Sequence, residues 1–196
     1  MGQRAVTAPV VHFDRETHAY TLDGAPVVHI TGMLKAAGYV DEEWFTEESR
    51  ERGTLVHRLA TDYDLGALPT PAALECPYKG WVLAHVAAME AIRPTWAHVE
   101  TAFISPQYRY GGRPDRVGRV FGAQAVLDLK TGAATKATPI QTALQAILVA
   151  PVLRLPAVNI VRFALHLKAA GRWTLVEHTD RHDFDRAYEI IQTCCR

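Results

Sequence analysis

Two neighbouring stretches of the chain decide its fold: Gly111–Gly118, which reads GGRPDRVG, and Ala125–Gly132, which reads AVLDLKTG. In the second stretch an apolar run gives way abruptly to Asp-x-Lys. Side chains alternate across a β-strand, so Asp128 and Lys130 share one face of the predicted strand while Leu129 points to the other. The carboxylate can hold a hard cation, and the ammonium can position a water or stabilise a developing oxyanion. The pattern therefore indicates a compact charged unit at a strand end.

Asp115 is placed on the strand that precedes this unit. If the two strands pair as a hairpin through residues 119–124, the Asp115 carboxylate reaches the same ion as Asp128. Oxygen ligands of this kind suit Mg²⁺ or Mn²⁺, which keep bound waters and also take a phosphate oxygen of a substrate. Such an ion lowers the pKa of a bound water and offsets negative charge on phosphorus. The residues therefore predict phosphodiester hydrolysis, with one ion or with two ions roughly 3.5–4 Å apart.

The order and spacing of these residues resemble the core signature of the PD-(D/E)XK nuclease superfamily, and in particular its RecB-type and phage exonuclease-like members. The match covers Gly111–Gly118 and Asp128–Gly132, and the segment His18–Thr31 also resembles phage-type members. With the helical elements described next, the resemblance spans residues 12–146. It implies a single nuclease-like domain over residues 1–196 with a restriction-endonuclease-like core. The implied activity is a metal-dependent DNA nuclease, and more specifically an exonuclease in phage-type recombination or DNA processing.

The resemblance also implies roles for three residues outside the core signature. His57, in an Arg-Gly-Thr-x-x-His sequence on a helix, resembles an upstream motif whose histidine is a metal ligand. Glu100, on the strand before Asp115, matches a frequent extra acidic residue. Gln141 lies on the helix after the Asp-x-Lys strand, where the family carries Gln-x-x-x-Tyr, and Gln145 stands in place of that tyrosine. Outside the resemblance, a lone helical histidine is more often a packed or surface residue than a ligand.

These observations lead to a complete predicted site. The predicted catalytic residues are Asp115, Asp128, Lys130 and Gln141. The predicted metal ligands are His57, Glu100, Asp115, Asp128 and the backbone carbonyl of Leu129.

The charge balance of the chain limits how it can bind DNA. Lys+Arg and Asp+Glu both number 21, so the formal net charge is zero. A protein that binds nucleic acid only through a basic surface usually has an excess of Lys and Arg. Contact with DNA must therefore come from a local cluster of charge or from a bound metal. Arg52, Arg113 and Arg116, together with Arg50, are candidates for a phosphate-binding surface, although solubility explains any one of them equally well.

Length and cysteine content indicate the class of protein. A chain of 196 residues fits one domain. Cys76, Cys194 and Cys195 are an odd number without a framework spacing, and no signal peptide is apparent. We therefore expect a reduced, cytoplasmic setting, which is the host cytoplasm if the chain is phage-encoded. No apolar run reaches membrane-spanning length.

The histidines without metal-ligand spacing are predicted to be structural: His12, His18, His29, His178 and His182.

The pattern along the chain predicts a mixed α/β domain in which a central mixed sheet is flanked by helices and preceded by a small N-terminal β-hairpin. Asp23-Gly24 is a hairpin signal, and Thr31 and Asp180 are candidate helix caps. Strands are predicted at 10–13, 19–22, 25–30, 98–104, 108–120, 125–130, 159–167 and 172–177. Helices are predicted at 32–37, 41–65, 78–92, 139–149 and 182–194.

Two alternatives to a DNA nuclease stay open. A DNA-binding or assembly module could keep the nuclease fold without turnover, and both the glutamine at position 145 and the neutral net charge favour it slightly. A metal-dependent phosphatase would act on nucleotides and not on polymer. DNA is the expected partner of a nuclease and of a binding module, but not of a phosphatase. A recombination partner protein and self-association are compatible with the sequence, which is silent on exonuclease against endonuclease action.

Overall fold

The computed structural model describes residues 10–14, 16–40, 46–68 and 74–195. Positions 41–45 of the helix predicted over 41–65 lie outside these ranges. Among the described residues, no helix is both long and apolar enough to cross a membrane. Cys76, Cys194 and Cys195 are free thiols.

The described strands form two five-stranded sheets. The N-terminal sheet contains β1 (Val11–Asp14), β2 (Ala19–Leu22), β3 (Ala25–His29), β5 (Phe103–Ser105) and β6 (Tyr110–Gly112), in the order β1-β2-β3-β6-β5. The central sheet contains β4 (Thr95–Val99), β7 (Arg116–Val120), β8 (Ala123–Lys130), β9 (Val161–Leu167) and β10 (Trp173–Glu177), in the order β10-β9-β8-β7-β4. Both sheets are mixed, because β3 pairs with β6 and β8 pairs with β9 in parallel while the other pairs are antiparallel. The predicted N-terminal hairpin is thus part of a larger sheet.

The two long strands predicted at 98–104 and 108–120 are each divided between the sheets. The chain leaves the central sheet after β4 and enters the N-terminal sheet at β5, and it returns between β6 and β7. Glu100 directly follows β4 and has a left-handed φ of 48°, a conformation that interrupts a strand. Pro114, in the second break, has no N–H to donate to a ladder. Glu100 and Asp115 therefore lie at strand ends, which corrects their predicted positions on strands.

The two breaks lie against each other. The backbone N–H of Glu100 donates to the carbonyl oxygen of Asp115 at 2.9 Å. From there β7 and β8 form the predicted hairpin, with Arg119 opposite Gln124. The junction of the two sheets thus brings together residues that the sequence places on separate segments.

In the described ranges five α-helices cover the sheets: α1 (Ile30–Ala36), α2 (Glu47–Asp64), α3 (Lys79–Ile92), α4 (Ala137–Leu153) and α5 (His182–Cys194). The core on one face of the central sheet includes residues of α1, α4 and α5, and the core on the other face includes residues of α2 and α3. Strand β8 contributes side chains to both cores, because Val126 packs in the first and Leu127 and Leu129 pack in the second. By the same alternation Asp128 faces α4.

Side chains cap the first turns of α1 and α2. The Thr46 hydroxyl oxygen accepts the Ser49 N–H at 3.1 Å and caps α2. The predicted cap at Thr31 is wrong, because α1 already begins at Ile30 and the Nδ1 atom of His29 accepts the Gly32 N–H at 3.2 Å. At the last helix the N-cap position is Arg181 and not the predicted Asp180, although the Asp180 carboxylate accepts the His182 N–H at 2.9 Å.

Candidate metal centre

The acid cluster, which we define as His57, Glu100 and Asp115, lies at the junction of the two sheets. The His57 Nδ1 atom is 3.5 Å from Asp115 Oδ1 and 3.6 Å from Glu100 Oε1. One potential ligand atom from each residue lies within 4.8 Å of the others. An imidazole nitrogen and two carboxylate oxygens form a donor set that suits a divalent cation. The three residues therefore fit a metal ion.

Both carboxylates of the acid cluster are held from behind. The second oxygen of Asp115, Oδ2, accepts the backbone N–H of Leu129 at 2.6 Å. The second oxygen of Glu100, Oε2, is 3.0 Å from Arg113 Nε. Asp115 is only 8 % exposed, so this hydrogen bond determines which oxygen faces His57. The arrangement leaves one oxygen of each carboxylate directed at the imidazole.

The charges of the acid cluster are strongly coupled. Burial disfavours protonation of His57, but the charges of Asp115 and Glu100 outweigh burial and raise the pKa of His57 to about 10. Burial also disfavours ionisation of Asp115, but protonated His57 and the Leu129 N–H hold the pKa of Asp115 well below its ordinary value. In the metal-free protein the imidazolium thus supplies the positive charge, and a cation that binds through His57 must displace its proton.

The lysine cluster, which we define as Asp128, Lys130, Gln141 and Gln145, lies at the end of β8 beneath α4. Lys130 Nζ is 2.6 Å from Asp128 Oδ2 and donates to Gln141 Oε1 at 3.0 Å. The Nε2 atoms of Gln141 and Gln145 both donate to Asp128 Oδ1, at 2.8 and 3.1 Å. Burial lowers the pKa of Lys130, but the charge of Asp128 raises it by more. Lys130 is therefore an ammonium at neutral pH.

The structure places the two predicted acids in different clusters. In the part of the chain that the structure describes, the group with metal-ligand spacing contains Asp115 and not Asp128. The Asp128 carboxylate faces the Lys130 ammonium and two amide groups instead. A cation shared by Asp115, Asp128 and the Leu129 carbonyl stays a prediction.

Gln145 has a contact that the sequence did not indicate. It stands where the resemblance implies a tyrosine, and its amide donates to Asp128 beside the amide of Gln141. Residues four apart share one face of a helix. The spacing of Gln141 and Gln145, four residues apart on a predicted helix, could have indicated that both amides reach the same carboxylate.

A third group of charged residues, the buried network of Asp64, His85 and Arg116, lies directly behind the acid cluster. Arg116 and His85 are both 0 % exposed. The Asp64 carboxylate pairs with Arg116 Nε and lies 3.0 Å from His85 Nε2. Arg116 Nη1 donates to the carbonyl oxygen of Asp115 at 2.7 Å. The predicted DNA-binding role of Arg116 is wrong, because its guanidinium is fully buried and binds Asp64 and the Asp115 carbonyl.

The other two predicted DNA-binding arginines lie nearer the surface. The Arg113 side chain is 30 % exposed and pairs with Glu100, and its guanidinium carbon lies 5.7 Å from the centre of the Phe13 ring. Arg52 lies over Trp81 at 5.3 Å. Contact of either arginine with DNA stays a prediction.

Comparisons with known proteins give a structural likeness without a sequence match. No protein-family model matches the chain, and no curated protein matches it. Among solved structures, the crystal structure of a "putative exonuclease" from Eubacterium rectale is similar, with a TM-score of 0.51 and 14 % identity over 86 % of this chain and 71 % of that chain. At such identity the likeness concerns the fold alone. The mixed α/β architecture, with helices around mixed sheets, is thus a nuclease-like fold and confirms the predicted fold class.

Proposed function

We propose that the protein is a PD-(D/E)XK-type deoxyribonuclease that hydrolyses phosphodiester bonds with Mg²⁺ or Mn²⁺. The observation that carries this proposal is the position of the acid cluster beside the lysine cluster. The Leu129 N–H that orients Asp115 belongs to the residue between Asp128 and Lys130. A candidate cation site and an ammonium are therefore held by the same strand end, where both can stabilise the negative charge that develops in phosphodiester hydrolysis.

Each residue has a role in this proposal. His57, Glu100 and Asp115 would hold the cation, and Asp128 with the Leu129 carbonyl would complete its ligands. When bound, the cation lowers the pKa of a water and offsets negative charge at phosphorus.

Lys130 positions the attacking water and stabilises the negative charge that develops on the phosphoryl oxygens. Gln141 holds Lys130 and Asp128 together through both ends of its amide. Arg113 and Arg52 would contact the DNA backbone.

The fold supports a nucleic acid, and we propose DNA, as the substrate, since a similar fold occurs in the protein described as a "putative exonuclease". We further propose an exonuclease, acting in phage-type recombination or DNA processing. Labelled linear duplex and covalently closed circular DNA separate the two modes of cutting. An exonuclease degrades the linear form and leaves the circle intact, whereas cleavage of the circle would identify an endonuclease.

The test of nuclease activity compares wild type with Asp115→Asn, Asp128→Ala and Lys130→Met in Mg²⁺, in Mn²⁺ and in EDTA. Lys168→Met is the matched control, because Lys168 is exposed in the turn between β9 and β10. We expect cleavage with either metal, none in EDTA, and loss in all three variants but not in the control. Cleavage that survives Asp128→Ala and Lys130→Met would show that another site does the work.

A second candidate function is a DNA-binding or assembly module with the same fold and no turnover. The contacts of Asp128 favour it, because an ammonium and two amides already surround that carboxylate. Calorimetric titration with Mn²⁺ separates the candidates. Saturable binding that Asp115→Asn abolishes supports the nuclease, whereas DNA binding without Mn²⁺ binding supports the module.

A further inference from the structure

A cavity of about 330 Å³ opens beside the lysine cluster, on the face of the central sheet that α4 covers. We call it the aromatic pocket. One wall consists of rings from the N-terminal sheet and its turn, and the other carries polar groups next to the two clusters. The residues that matter here are His18, Tyr20, His29, Arg113, Gln141 and Gln145.

The rings of the pocket belong to a connected aromatic group. Tyr20 lies 4.7 Å from Phe13 and 6.2 Å from His29 between ring centres. Tyr20 can take this place because β6 carries a glycine beneath it: a Cβ at Gly111 would lie 2.4 Å from the ring. The glycine of the core signature thus lets an aromatic side chain reach the junction where Glu100 and Arg113 lie.

The polar wall contains a buried acceptor that lacks a donor. Gln145 is 3 % exposed, and its Nε2 donates to Asp128. Its Oε1 atom is buried and has no hydrogen-bond partner among the described residues. Because Nε2 is held by Asp128, the amide cannot turn to exchange the two atoms without losing that bond. A ligand in the pocket that supplies an N–H donor would satisfy this oxygen.

The ring of His29 is neutral in this environment. Its Nδ1 accepts the Gly32 N–H, so its proton is on Nε2. Burial and the neighbouring His18 lower the pKa of His29. A neutral flat ring beside a tyrosine is suited to stacking on a nucleobase, since every base has a π-face.

We propose that the aromatic pocket binds one unstacked nucleotide at the end of a DNA strand, with its base against the rings of His18, Tyr20 and His29 and an N–H of the base edge donating to Gln145 Oε1. Arg113, between the pocket and Glu100, takes the phosphate. All four bases offer an N–H on their pairing edge, so this acceptor does not select among them. The volume lies at the low end of the roughly 300–1,000 Å³ that ligand pockets span, which suits a single nucleotide and excludes a duplex. The proposal deepens the proposed function and rests on it for the identity of the polymer.

The experiment follows the fluorescence of 2-aminopurine, which falls when the base stacks on an aromatic ring. DNA carries the label either at a strand terminus or several bases inside, and binding is measured in EDTA so that no cleavage occurs. Thr31→Phe fills the pocket from α1, where Thr31 is exposed. His18→Asn removes a ring and keeps a residue that tolerates the φ of 54°. Thr193→Phe, on the exposed side of α5, is the control.

We expect quenching of the terminal label and not of the internal one. Thr31→Phe should abolish the quenching and weaken DNA binding at least about fivefold, as loss of one base–aromatic stack does, and Thr193→Phe should do neither. Mn²⁺ affinity should be the same in all variants. DNA that binds without terminal quenching, or quenching that survives Thr31→Phe, overturns the pocket while leaving the nuclease proposal intact.

A separate titration with free deoxynucleoside monophosphates distinguishes the two proposals if the protein fails to bind or cut DNA. Mononucleotide binding that is lost in Thr31→Phe supports the pocket even when the nuclease proposal has failed. Absence of both DNA and mononucleotide binding overturns the pocket as well.

Discussion

The acid cluster and the buried network contain the same kinds of residue in different surroundings. Each sets a histidine against a carboxylate with an arginine close by. The His57 side chain is 30 % exposed, whereas His85 is 0 % exposed. In the buried network one carboxylate, Asp64, receives both the guanidinium and the imidazole. In the acid cluster two carboxylates face one imidazole, at 3.5 and 3.6 Å.

This difference shows why one group can bind a cation and the other cannot. Buried charges persist only when partners compensate them within the protein, and the Asp64 carboxylate already has two such partners, the Arg116 guanidinium and the His85 imidazole. The acid cluster is open enough to exchange its proton for a metal ion. The two are also connected, because Arg116 donates to the Asp115 carbonyl and lies 3.8 Å from Glu100. The network therefore supports the acid cluster from behind.

Breaking the buried network should have the largest effect. Asp64→Asn removes the carboxylate and leaves the buried Arg116 guanidinium without its nearest charge partner, which costs about 3–5 kcal/mol in the free energy of unfolding. Chemical denaturation measures it. Asp185→Asn is the matched control, because the Asp185 side chain is 70 % exposed, and its effect should stay within about 0.5 kcal/mol. A loss below about 1 kcal/mol for Asp64→Asn would contradict the network's structural role.

The lysine cluster should show the next largest effect, in turnover. Lys130→Ala removes the cation that stabilises developing charge, and we expect kcat to fall about 10²–10³-fold. Mn²⁺ affinity should not fall with kcat, because Lys130 pairs with the proposed ligand Asp128, and removing the ammonium takes a positive charge away from the cation site. Single-turnover cleavage and calorimetry provide the two readouts. Equal losses in both would assign Lys130 to the metal site instead.

Loosening the support of the lysine cluster should have a smaller effect. Gln141→Leu keeps the volume but removes the amide that joins Asp128 to Lys130, and turnover should fall about 10–100-fold, as for residues that orient ligands. Gln192→Leu, at an exposed position of α5, serves as the control for an amide-to-apolar change. Unaltered cleavage in Gln141→Leu would mean that Asp128 and Lys130 hold each other without help.

The last comparison varies the pH and tests the acid cluster itself, with the smallest change per step. Without metal the pKa of His57 is about 10, so His57 is protonated at neutral pH. Each Mn²⁺ ion that binds must therefore release one proton, and Mn²⁺ affinity should rise about tenfold per pH unit between about pH 6.5 and 8.5. Calorimetry in buffers of different ionisation enthalpy measures both. His57→Ala should remove the slope, and a wild-type affinity independent of pH would exclude His57 as a ligand.

The same pKa shift affects the stability of the metal-free fold. A histidine whose pKa is higher in the folded than in the unfolded protein stabilises the fold fully below the unfolded value, near 6.5. That contribution is lost as the pH rises towards about 10. Thermal unfolding of wild type and His57→Ala across this range should converge at high pH.

Much of the fold followed from local pattern. The β7–β8 hairpin, the five helices and the opposite orientations of Asp128 and Leu129 depend on periodicity and turn residues close in sequence. The breaks at Glu100 and Asp115 did not, because an interrupted strand and a continuous one carry similar residues. The boundaries of α1 also depended on a contact, the His29 cap, that composition does not reveal.

The candidate site was predicted unevenly for the same reason. Asp115, Lys130 and Gln141 lie within one contiguous stretch of sequence, so spacing and resemblance located them. Asp64 and His85 come from α2 and α3, and their partner Arg116 is from β7; no motif joins them. Arg116 was predicted at the surface because a charged residue carries no sign of burial in its sequence.

The sequence by itself determined which residue types stand at the end of β8, and with them the acid and ammonium chemistry of the site. Only the tertiary structure decided that Asp115 joins His57 and Glu100 while Asp128 faces Lys130, and that Arg116 is internal. The physical reason is that strand periodicity acts between neighbours in the chain. Compensation of buried charge depends instead on which distant segments the two sheets bring together.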